Sequence, residues 1–330
     1  MRPALKTLLA TTALVSIAAC ETLPIGSDTA EAPTPAQAAA PASEALESAA
    51  DTAQAATADA ASTLTDKAEP IDASTARQTL AEVLASDIRT EDAPRDIHRR
   101  PLETLTFFGI TPDMTVAEYA PGGGWYTRVL APYMAGTGRY LAANHDIDAY
   151  LTGDDVDPER FASAKAFPET FPGRVNEWTG LDPALVTAFE IDEAPEAIAG
   201  TVDALLVFRS MHGLTRRGIE DDMAAHAFAL LKPGGTLGLV QHRAKADAPD
   251  DYADGSNGYL RQADVIANFE AAGFTLIGTS EVNANAKDTA DYEGGVWTLP
   301  PVLRGGEETR ATYEPIGESD RMTLKFRKPV

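Results

Sequence analysis

The chain has 330 residues, with 27 Lys and Arg against 50 Asp and Glu, a formal net charge of −23. That balance excludes the basic footprint by which a nucleic-acid binder displaces counterions from phosphates, and it opposes electrostatic adhesion to anionic lipid. The one cysteine, Cys20, excludes a disulfide scaffold and a cysteine-ligated zinc site, and no metal is expected.

Arg2 and Lys6 open the chain, and residues 7–19 carry no charge. That apolar run is shorter than the roughly 20 residues a membrane-spanning helix needs and suits the hydrophobic part of a signal peptide. It ends in Ile17-Ala18-Ala19-Cys20, which resembles the lipobox of bacterial lipoproteins. The resemblance implies that residues 1–19 are removed and that Cys20 is lipidated. The chain would then be anchored in the bacterial envelope, facing the periplasm. Glu21 is not the Asp associated with inner-membrane retention in enterobacterial lipoproteins, which points to the outer membrane.

Residues 21–75 contain 18 Ala, 5 Pro, 10 acidic residues, one Lys and no aromatic residue. So little apolar bulk cannot offset the conformational entropy of folding. Residues 20–75 are therefore expected to be a flexible tether. Residues 76–330 remain as one domain, with 24 basic against 40 acidic residues.

Within the domain, Ser74 or Thr75 is expected to cap a helix carrying Leu80, Val83, Leu84 and Ile88. Pro101 opens a second helix with Leu102, Leu105 and Phe108 on one face, and Gly109 stops it. Residues 115–119 read as a buried strand. A glycine cluster and a helix over 125–134 follow. Strands are expected at 140–143 and 185–189, with a helix over 158–167 between them. The run 202–208 is apolar nearly throughout, as a strand covered on both faces should be. A helix over 219–231, a turn at 232–235 and a strand over 236–240 come next. The last elements are a helix over 264–272, a strand over 274–277 and an alternating antiparallel strand over 322–326. Such alternation predicts a doubly wound, mostly parallel α/β sheet with helices on both faces and an antiparallel last strand. Ligands of these sheets bind beyond the carboxyl ends of the strands, at the point where strand order reverses.

Glu118-Tyr119-Ala120-Pro121-Gly122-Gly123-Gly124-Trp125 joins the first strand to its helix. Glycines admit a ligand close to the backbone, and a helix N-terminus offers N–H groups. With Leu231-Lys232-Pro233-Gly234-Gly235 before an apolar strand and the antiparallel closing strand, the chain resembles class I S-adenosylmethionine (SAM)-dependent methyltransferases. The stretch from His98-Arg99-Arg100-Pro101 to Trp125-Tyr126-Thr127 is similar to a bacterial group named predicted methyltransferases. Phe208-Arg209-Ser210-Met211-His212, Asn257-Gly258-Tyr259 and residues 324–329 are similar to the same group. The resemblance spans nearly all of residues 90–330.

That resemblance implies SAM as cofactor. It implies that Glu118, Gly122, Gly123 and Gly124 line the methionine part. Ala120 stands where the family has its first glycine and is expected at negative φ. Asn144 falls where an acid usually accepts from both ribose hydroxyls, with Asp146 close enough to supply the charge. Glu190 and Asp192 are the candidates for adenine. His212 and His242 follow the fourth and fifth strands, where a histidine could remove an acceptor proton, or each could be a structural hydrogen bonder. Arg209 could bind an anion or pair with a neighbouring acid. Tyr259 and Trp125 are candidates to wall the pocket.

Two expectations conflict. The lipobox predicts export, whereas SAM is made in the cytoplasm. The readings are a methyltransferase acting on a small-molecule or envelope acceptor, or an exported lipoprotein whose methyltransferase fold is a non-catalytic binding module. A third reading is an envelope lipoprotein whose fold serves only as a body for partner contacts.

Overall fold

The computed structural model describes residues 71–153 and 156–330. The expected signal peptide, Cys20 and the expected tether up to residue 70 lie outside the described residues. The first helix, Ala73–Leu84, is capped by Asp72, whose carboxylate accepts from the Ser74 and Thr75 N–H groups. The expected caps are thus residues of the first turn. The helix stops at Leu84, so Ile88 falls outside its apolar face and is exposed. Ala76 and Leu80 are buried, and the Tyr133 hydroxyl donates to the Ala76 carbonyl at 2.9 Å. The helix Pro101–Phe108 ends at Gly109, left-handed at φ 77°, as its sequence predicts.

Seven strands form one sheet in the order β3-β2-β1-β4-β5-β7-β6. They are β1 Thr115–Tyr119, β2 Arg139–Asn144, β3 Val186–Glu190, β4 Val202–Phe208, β5 Leu231–His242, β6 Thr275–Ser280 and β7 Arg321–Arg327. β1 to β5 are mutually parallel, and β7 runs antiparallel between β5 and β6. This is the doubly wound sheet the sequence predicts. Strand order reverses between β1 and β4, so a crevice opens beyond their carboxyl ends.

Each face of the sheet has its own core. On one, Val116, Tyr140, Leu206 and Val240 pack with residues of the helices Ala73–Leu84, Pro101–Phe108, Thr127–Met134 and Phe167–Thr179. On the other, Ala117, Leu141, Leu205 and Leu239 pack with residues of Glu220–Leu230 and Gln262–Ala271. The sequence reading did not separate the helices Pro158–Lys165 and Phe167–Thr179. Leu185, expected in β3, precedes it and is 57% exposed. β5 begins at Leu231 rather than at 236, with a register shift against β4 between Val202 and Ala204.

The segments after β5 and β6 form a small third cluster around Tyr259, with Ala244, Ala253 and Val296. Glycines hold it together: a Cβ on Gly258 would stand 2.4 Å from Val296 Cγ1, and one on Gly295 2.4 Å from the Asn257 carbonyl. The cluster stands over the carboxyl end of β5.

Candidate functional site

The turn after β1 builds a cavity of about 340 Å³. Ala120, Pro121, Gly122 and Gly123 form one side, Trp125, Tyr126 and Phe208 an aromatic wall, and Arg95, Arg99, Arg128 and Arg209 a cationic rim. The Tyr126 and Phe208 rings stack with centroids 3.5 Å apart.

The glycines differ in what they do. Gly122 and Gly124 stand at φ 55° and 75°, where a side chain is strained. A Cβ on Gly124 would also meet the Trp178 ring at 2.2 Å, so this glycine serves turn and packing and does not line the cavity. Gly123 lines the cavity, has ordinary φ, and a Cβ there would meet nothing within 4 Å. The Arg174 and Arg128 guanidiniums hold the turn by donating to the Gly122 and Gly123 carbonyls at 3.2 and 3.0 Å. Ala120 sits at φ 48°, against the expected negative value. Its N–H donates to the Ala143 carbonyl at 2.7 Å, so pairing with the end of β2 holds the residue in a glycine-like conformation.

Glu118 is buried beneath the turn, where its Oε2 accepts from Thr127 Oγ1 and from the Tyr140 hydroxyl, both at 2.7 Å. Burial raises its carboxyl to about 7, although those two hydrogen bonds oppose the rise. Arg209, at φ 57° just past β4, lines the cavity. Arg99 lies over the Trp125 ring, 4.4 Å from its centroid.

The residues expected at the ribose and adenine end lie apart from this cavity. Asn144 ends β2 and pairs with Glu190 at the end of β3. The Asp146 carboxylate accepts from the Ala149 N–H at 2.9 Å and so caps a single helical turn. Glu190 is buried, accepting from the Ile147 N–H at 2.9 Å with Lys165 Nζ also at 2.9 Å. Asp192 is exposed. Carboxylate oxygens of Asp146, Glu190 and Asp192 come within 4.8 Å of one another. Next to them, the Tyr119 hydroxyl lies 2.7 Å from His145 Nδ1, and the His145 ring stacks on Tyr150.

His212 and His242 lie side by side, ring centroids 5.9 Å apart, but neither lines the cavity under the glycine turn. Burial lowers His212 to about 4 and takes His242 well below its ordinary value. His242 Nδ1 lies 2.5 Å from Ser319 Oγ. Both rings are therefore neutral at neutral pH; the His212 ring lies 5.9 Å from that of Trp297 and the His242 ring 6.3 Å from that of Tyr259. Tyr259 is fully buried and donates to Asp288, so it packs rather than walls the cavity; Trp125 does line it. Sequence reasoning gave no role to Arg95, Arg99 and Arg128, because no spacing relates them to the turn.

No family model and no curated protein matches the chain. Solved structures share its fold at low identity. A SAM-dependent methyltransferase from Aquifex aeolicus is 14% identical, with a TM-score of 0.45 over 78% of this chain and 100% of that one. Geranyl diphosphate C-methyltransferase from Streptomyces coelicolor is 13% identical, with a TM-score of 0.43 over 80% of this chain and 86% of that one. The cyclase SpnF is 14% identical, with a TM-score of 0.44 over 74% and 86%.

Proposed function

We propose that the chain is a SAM-dependent methyltransferase acting on a small-molecule or envelope acceptor. The observation that carries this reading is the glycine turn at the β1–β4 reversal, underlain by buried Glu118 and opening on a cavity. The residues there suit the methionyl end of the cofactor. Gly123 leaves open space beside the backbone, and Arg99, whose Nη1 has no hydrogen-bond partner, can take a carboxylate. At the ends of β2 and β3, Asn144, Asp146 and Asp192 offer acceptors for ribose hydroxyls.

When bound, the cofactor supplies a methyl group on a sulfonium. The chain's own contribution is placement. Gly122 and Gly123 allow close approach, the stacked Tyr126 and Phe208 with Trp125 exclude water, and Glu118 fixes the turn to β2 through Tyr140. In-line displacement draws on positioning, and a general base is needed only where the acceptor loses a proton. The reading therefore assigns no base and needs neither His212 nor His242.

Calorimetry of the full chain with SAM and with its demethylated product tests the reading. Gly123→Val should abolish binding with the melting temperature little changed, because a Cβ there meets nothing within 4 Å. Failure of the wild type to bind at millimolar SAM would overturn it. The envelope location belongs to the same proposal and is supported by residues 17–20. Cys20→Ala should move the chain out of the membrane fraction; identical fractionation and migration would refute the anchor.

A further inference from the structure

The charge balance of the cleft points beyond the cofactor. Arg95, Arg99, Arg128 and Arg209 line it, and Arg321 joins the same network through Glu318. Two carboxylates are already committed. Asp92 binds Arg128 through both oxygens, at 2.5 and 2.8 Å. Glu318 pairs with Arg95 at 2.6 Å and with Arg321, and lies 3.6 Å from Arg99. One carboxylate thus serves three guanidiniums. Burial works to raise Glu318, yet Arg321, Arg95 and Arg99 together bring it down to about 2.

The surplus rests on two side chains. Arg99 is 4% exposed; its Nε faces the shared Glu318 carboxylate at 3.6 Å, and its Nη1 has no hydrogen-bond partner. Arg209 forms no ion pair and no side-chain hydrogen bond among the described residues, and lines the same cavity. Both remain cations at neutral pH. Glu118 lines the same cavity, but burial raises its carboxyl to about 7 even against the pull of Arg209 and Arg128, so at neutral pH it offsets only part of one charge. Uncompensated buried charge is costly, and here it faces a cavity in a domain whose formal charge is strongly negative.

The methionyl end of SAM does not remove this surplus. It brings one carboxylate but also an ammonium and the sulfonium, so it adds net positive charge. Its carboxylate can satisfy Arg99, which leaves Arg209 without an anion. We propose that the methyl acceptor is an anion, a small molecule bearing a carboxylate or phosphate, held by Arg209 beside the glycine turn. The word acceptor rests on the methyltransferase reading; the anion site does not.

The test is calorimetry of the full chain with inorganic phosphate and, separately, with succinate, each with and without saturating S-adenosylhomocysteine. At least one anion should bind, and should still bind when S-adenosylhomocysteine is present. Arg209→Met should weaken that anion by about ten- to a hundredfold, the range for hydrogen bonds to a charged group, while Arg209→Lys should retain much of the affinity. Thermal melts of both variants check that they fold, which matters less at partly exposed Arg209 than at buried Arg99. Anion binding without S-adenosylhomocysteine binding would leave the anion site standing and remove the cofactor reading. Binding of S-adenosylhomocysteine with no binding of either anion would overturn this proposal alone. So would displacement of the anion by S-adenosylhomocysteine, which would give both guanidiniums to the cofactor's carboxylate, or an unchanged anion affinity in Arg209→Met.

Discussion

Glu118→Gln separates the cost of the buried acid from its hydrogen bonds, because the amide oxygen still accepts from Tyr140 and Thr127. The wild-type carboxyl ionises near 4.5 when unfolded and near about 7 in the fold. Between those values the folded protein holds a proton that the unfolded chain has lost, so this group's contribution to stability falls as pH rises, and above about 7 the whole cost is present. At roughly 1.4 kcal/mol per unit the shift amounts to about 3 kcal/mol. The buried histidines act in the opposite sense: burial lowers His145 and His212 to about 3 and about 4, so they destabilise the fold as pH falls below their ordinary value. They titrate alike in both proteins and cancel in the difference. Urea unfolding of wild type and Glu118→Gln at about pH 5 and about pH 8.5 should therefore show the variant gaining about 3 kcal/mol on the wild type at the higher pH. If the two proteins differ equally at both pH values, the carboxylate is ionised at little cost, and Arg209 and Arg128 must compensate it more fully than its burial implies.

Ala120→Gly should relieve the left-handed backbone. The strain of about 1–2 kcal/mol, less the extra unfolded-state freedom of glycine, leaves a gain of about 1 kcal/mol, seen as a rise of about two degrees in Tm; a lower Tm would refute it. A chain starting at Ile71 should melt with the full-length protein. One starting at Ala76 loses the Asp72 cap and should be less stable by about 1 kcal/mol, and equal melting of the two would show that the first turn contributes nothing.

The sheet was legible because its signals are local. Apolar 202–208 became β4, the alternating tail became β7, and Pro101 and Gly109 bounded a helix as their backbone preferences require. Phe167–Thr179 was hidden by Pro168, Pro172 and Gly173, which read as breakers. Yet Phe167, Phe171 and Val175 recur at helical spacing and are buried, and their packing outweighs local propensity. Ala120 was misjudged because its φ is set by pairing with β2, which only the assembled sheet supplies. Arg99 and Arg209 are 110 positions apart, and a sequence does not show that two such residues face one cavity.

The cleft brings together features that occur singly elsewhere among the described residues. Of the five non-glycine residues at positive φ among the described residues, Ala120 and Arg209 line it, and Arg100 directly follows Arg99. They flank the point where strand order reverses, one after β1 and one after β4. Beneath them lies a carboxyl whose charge is opposed by burial, and beside them a guanidinium with an unsatisfied nitrogen. Each feature costs stability: strained backbone about 1–3 kcal/mol per residue, an unmade buried hydrogen bond about 1–3 kcal/mol. A sequence selected for stability alone would place glycine at 120 and apolar or paired side chains at 99 and 118. Their coincidence at the crevice where such sheets bind ligands is what a site held ready for a charged ligand requires. His212 and His242 sit beside the Tyr259 cluster, which holds Ala290 at φ 46°, and His242 has its Ser319 partner. On the proposed reading, cofactor and anion fall to the arginines and the glycine turn.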